Sequence, residues 1–215
     1  ALPATDRTLL LRHLINIGIS IISRGYSVEP ELLSLYQRAI DTGMLMENNR
    51  ITANSFINIA NLASLCKEFD WAFKFIETHA VFLEPSQKNP TVQLAKAGVY
   101  YNQGKLDKAQ DCLVQELFTM PFFDLLSRGL LLKIIFDRYL LDGTDYEFLH
   151  NQLNTFQKYV PGRALTDEKK QAQLNWIKMV RTLSKAKFEL VTVPPDKKEL
   201  FRKKLDNQKY AVNKK

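Results

Sequence analysis

The sequence predicts an all-α protein built as a right-handed superhelix of about four to five antiparallel helix pairs. Three observations predict it. Apolar residues recur with helical period along most of the 215 residues. Glycines and prolines fall at the ends of those runs, where a left-handed residue or a missing N–H is tolerated. The turns inside the pairs, marked by Gly25, Lys67, Gly104 and Gly143, follow one another at intervals of 42, 37 and 39 residues. Repeats of that length are read as solenoids, in which each pair buries its apolar face on its neighbours.

The periodicity predicts helices over 6–23, 29–42, 52–66, 70–82, 91–103, 106–117, 122–141, 145–159 and 166–186, with a weaker one over 196–208. Gly25, Gly43, Gly104 and Gly143 each close an apolar run, and Pro30, Pro85, Pro90, Pro121 and Pro195 stand at or between helix starts. Thr52, Asp70, Asp145 and Thr166 are the expected N-caps, since a short oxygen-bearing side chain accepts a free N–H of the first turn. Val191-Thr192-Val193 is the one β-branched run. It is too short for a sheet and is expected to be an extended link into Pro194-Pro195. The domain organisation follows: a helical stack over 1–186, then a basic C-terminal segment over 187–215.

A membrane span needs roughly 20 mostly apolar residues. The most apolar stretch, Leu9 to Ile22, is broken by Arg12, His13 and Asn16, so no membrane insertion is expected. It also lacks the small-residue cleavage site of a secretory signal, which points to a cytoplasmic location. The net charge of +7 is unevenly placed. Residues 1–165 carry 16 Lys/Arg against 17 Asp/Glu, and residues 166–215 carry 14 against 6. The basic balance therefore belongs to the C-terminal end, notably Lys197, Lys198, Arg202, Lys203 and Lys204, an acid-seeking patch.

Catalytic chemistry is not expected. Cys66 and Cys112 are far from each other and from any histidine in sequence, and His13, His79 and His150 are isolated, so no metal-ligand spacing occurs. The stretch from Gly98 to Lys105 has a phosphate-loop look but one residue too many, no following Ser or Thr, and no preceding strand. No catalytic residue, metal, cofactor or small-molecule substrate is assigned.

Residues 91–121 resemble a tetratricopeptide repeat unit. Ala97 and Tyr100 stand in its first helix, Gly104 in the turn, Ala109 and Leu113 in the second helix, and Pro121 at its end. The pair before it is similar, with Phe56, Ile59, Ala60 and Ala63, then Ala72, Ile76 and Pro85. The first pair keeps Gly18 and Ile21, and the fourth keeps Gly143 but sets Phe136, and Phe148 or Leu149, where small residues belong. The likeness spans about residues 8–160, with Gln93, Lys96 and Glu116 departing from the pattern. It implies a protein–protein interaction scaffold that holds a peptide or protein in a concave groove lined by the first helices. The residues it would place there are Asn54, Ile57, Asn61, Thr91, Leu94, Tyr101, Asn102, Lys133 and Asp137. Two alternatives stand beside it. Residues 42–75 resemble a pentatricopeptide unit, which implies RNA binding, although a specific nucleic-acid partner is not expected from one unit in a near-neutral stretch. The apolar run of Leu130, Leu131, Leu132, Ile134 and Ile135 would suit a homo-oligomer or a module of a longer chain.

Overall fold

In the computed structural model the described residues are 4–46, 48–143 and 145–192, and they are all-helical. Nine α-helices are seen among them: α1 (Ala4–Ser23), α2 (Glu29–Asp41), α3 (Ala53–Leu65), α4 (Phe69–His79), α5 (Lys88–Asn102), α6 (Leu106–Val114), α7 (Pro121–Asp142), α8 (Tyr146–Tyr159) and α9 (Asp167–Thr192). No strand occurs among the described residues, and none of their helices is long and apolar enough to cross a membrane.

The turns form as their residues dictate. Gly25, Gly43, Gly104 and Gly143 all have positive φ. At the end of α5, Gly104 N–H donates to the Tyr101 carbonyl at 2.9 Å and Lys105 N–H to the Tyr100 carbonyl at 2.9 Å. This double closure satisfies carbonyls that the last helical turn leaves over. Lys67 adopts the same conformation, φ 66°, although it is not glycine. Its N–H donates to Ser64 O at 3.1 Å and Glu68 N–H to Ala63 O at 2.9 Å, so α3 closes as α5 does.

Of the expected caps, Thr52 accepts from Ser55 N–H at 3.2 Å and Thr166 from Lys169 N–H at 3.4 Å. Asp70 is a correction. Because the Lys67 turn delivers the chain directly into α4, Glu68 occupies the cap position and Asp70 lies inside the first turn. There its charge still faces the positive end of the helix. Asp145 does precede α8, but it is left-handed and its side chain makes no capping bond. Helix α5 starts earlier than expected, at Lys88, with Pro90 inside its first turn. Helix α9 runs on through residues 191 and 192, so these are helical and not an extended link. β-branched residues cost only a fraction of a kcal/mol in a helix already propagating, about 0.7 at most. The expected helix over 196–208 lies outside the described residues.

The chain forms two compact units, residues 1–118 and 119–215, where the sequence reading drew one stack over 1–186. In the first, α3 packs against α2, α4 and α5, and α5 against α3, α4 and α6. Phe56, Ile59, Ala60, Ala63, Ala72, Ile76, Ala97 and Ala109 are at most 1% exposed. Small alanines let the axes approach closely, and the larger side chains, each worth about 1.5–3 kcal/mol when buried, fill the space beside them. The loop before α3 is pinned to the segment after α4 by Ile51 N–H donating to Phe82 O at 2.9 Å and by the Arg50–Glu84 ion pair at 2.9 Å.

In the second unit α7, α8 and α9 pack on one another around Leu132, Tyr139, Leu149, Leu153, Phe156, Val160, Ile177 and Val180. Leu149 is buried and Phe148 is 49% exposed, which decides the register of α8. Leu132 and Ile134 are buried and Leu130, Leu131 and Ile135 partly so. The run suggested for oligomerisation is therefore largely absorbed.

Candidate functional site

Helix α3 is enclosed on most sides, because it has three neighbouring helices in its unit. What stays open is a narrow stripe: Asn54 is exposed and Asn58 and Asn61 are half-buried. Spacings of four and three residues place these carboxamides on one helical face. Asn54 and Asn58 border a cleft of about 270 Å³ whose lining also includes Ser55 and residues of α1 and α2. From α1 come Arg12 and Asn16, and from α2 Tyr36. Burial pushes the Tyr36 phenol up to about 12, so it presents a neutral hydroxyl at ordinary pH. Thr52 and Ser55 bond to each other at 2.9 Å, which fixes the first turn of α3 at the cleft wall.

Asn16, Asn54 and Asn58 have no hydrogen-bond partner among the described residues, so their donors and acceptors are directed to solvent. The lining holds no carboxylate, histidine or cysteine, and its one formal charge is Arg12. An amide that both donates and accepts suits a peptide backbone, which presents both in alternation.

The residues implied by the repeat likeness divide into four groups. Asn54 lies on the cleft. Ile57, Thr91 and Leu94 are corrections: they are 6%, 0% and 3% exposed, because the α3–α5 contact closes over them. Thr91 spends its hydroxyl within its own helix, donating to Gln87 O at 2.6 Å. Asn102 joins α5 to α3, and Asn61 lies at the same crossing. Asn102 Nδ2 donates to Ser64 Oγ at 2.6 Å, and Ser64 Oγ donates to Asn61 O at 2.7 Å. Asn61 Oδ1 is buried without a partner against Gly98, where an added Cβ would fall 1.9 Å from it. Tyr101 is half-buried at the same end of α5. Lys133 and Asp137 are one turn apart on α7, in the second unit. The basic residues Lys197, Lys198, Arg202, Lys203 and Lys204 lie outside the described residues.

Sequence reasoning did not single out Arg12, Asn16 and Tyr36 as lining groups, because the family pattern drew attention to positions on α5 and α7.

Elsewhere, His150 and the two cysteines are enclosed by the packing. His150 Nε2 lies 3.1 Å from Ser184 Oγ. That hydroxyl is completely buried and donates to Arg181 O at 3.1 Å, so no substrate reaches it. Burial raises the thiol pKa of both Cys66 and Cys112, which leaves them protonated and weakly nucleophilic. No group of three metal-ligating side chains occurs among the described residues. The chain matches no family model, no curated protein and no solved structure.

Proposed function

We propose that this protein is a non-catalytic scaffold that holds an extended peptide of a partner protein in the cleft between α1 and α3. The observation that carries this is the set of unspent carboxamides on Asn16, Asn54 and Asn58 around a lining that holds no carboxylate, histidine or cysteine. Ile15 and Ile19 in the same lining offer apolar contact to the peptide's side chains. The solenoid reading belongs to this proposal. It is supported by the neighbourhood of α3 to α6, in which α3 lies against α5 and α4 touches α5 as well. That is the contact pattern expected when successive helix pairs stack with their first helices side by side.

Selection from a displayed library of random linear peptides tests the proposal. Peptides are expected that bind the full chain and lose at least about fivefold in affinity with Asn54→Ala/Asn58→Ala, the cost of roughly 1 kcal/mol per lost hydrogen bond. Binders indifferent to that double substitution would remove the cleft from consideration.

A further inference from the structure

A second cleft, of about 300 Å³, opens between α2 and α4 and shares no lining residue with the first. Its floor is a run of stacked rings along α4. Trp71 and Phe75 lie 4 residues apart with centroids 5.5 Å apart and planes at 8°, and Phe75 and His79 follow at 4.8 Å and 23°. Thr78 Oγ1 and Phe75 O hold His79 Nδ1 at 2.8 and 3.2 Å, which fixes the end of the run. The walls carry polar groups that the fold leaves unspent. The side chains of Gln37 and Asp41 from the C-terminal half of α2, and of Trp71 and Lys74 from α4, have no hydrogen bond or ion pair among the described residues.

We infer that this cleft seats an arginine side chain of a partner protein, its guanidinium flat against Trp71 and its N–H groups donated to Asp41 and the Gln37 carbonyl. A guanidinium is planar, weakly hydrated and forked, so it satisfies an aromatic face and a carboxylate together, which an ammonium does less well. The field has the right sign at that wall. Asp41 stands at the C-terminal end of α2, where the helix dipole is negative. The first unit as a whole carries eleven Lys/Arg against twelve Asp/Glu, which favours a cationic protein segment over a polyanion. Lys74, on the α4 wall, is then left for an acidic residue of the same partner segment.

Nitrogen-15 NMR of the full chain tests this through the indole N–H of Trp71, identified by its survival in Trp176→Phe. Acetyl-arginine methylamide should shift that signal saturably at millimolar concentration, and more tightly than acetyl-lysine methylamide. Asp41→Asn should weaken it by about fivefold, the upper range for an exposed ion pair, and Lys74→Ala should tighten it by removing a like charge. No saturable shift, an equal response to the lysine compound, or an affinity unchanged by Asp41→Asn would overturn the assignment. So would uridine monophosphate binding there with loss on Lys74→Ala, which would assign the cleft to single-stranded nucleic acid.

Discussion

At the scale of single residues, one contact between α3 and α5 depends on a glycine. Gly98 on α5 meets the side chain of Asn61 on α3, whose Oδ1 would clash with any Cβ there. Gly98→Ala should therefore cost about 1–3 kcal/mol as Asn61 is forced aside. In an Asn61→Ala background the clash is gone and alanine's helix propensity acts alone, so the same substitution should stabilise by up to about 1 kcal/mol. Urea denaturation of the four proteins reads the sign change, and equal costs in both backgrounds would refute the contact. Lys67 offers the opposite case. A left-handed lysine costs about 1–2 kcal/mol, partly offset by the greater unfolded-chain freedom of glycine. Lys67→Gly should raise stability by about 0.5–1 kcal/mol, and a lower denaturation midpoint would show that the turn is held by the lysine itself.

At the scale of elements, α9 is joined to α8 through His150 and Ser184, and to α7 through Tyr139, whose hydroxyl donates to Ser184 O at 2.9 Å in the core. The His150 pKa is lowered from 6.5, first by burial and then by the nearby Arg181 charge. With the folded value below the unfolded one, the unfolded chain binds more protons between them, so stability falls as pH drops below about 6.5. The wild type should lose thermal stability between pH 7.5 and 5, and His150→Gln should lose less over that interval. A parallel pH profile in the two proteins would discard the histidine as the cause. Most helices were legible in the sequence because their apolar period and their glycine stops agree, as at Gly104 and Gly143. The misplaced ends have local causes. The β-branched residues 191 and 192 concealed that α9 continues, and Pro90, read as a helix start, lies inside a first turn that opens at Lys88.

At the scale of the whole molecule, two packed helical units carry different amounts of the functional reading, and the first carries nearly all of it. The groove positions implied by the repeat likeness were only partly legible, because the likeness gives a face and not its depth. Ile57, Thr91 and Leu94 sit on the correct helices but under the α3–α5 contact, while Asn54 and Asn58 escape it beside α1. The proposed partner peptide lies along those open amides. The most direct measurement is the side-chain NH2 spectrum of the nitrogen-15 labelled chain with and without a selected peptide. The resonances of Asn16, Asn54 and Asn58 should shift together and saturate at one affinity, while those of Asn61, enclosed against Gly98, and Asn102, bonded to Ser64, stay near their free positions. Tight binding that leaves the first three unmoved, or that moves only amides elsewhere, would contradict the account.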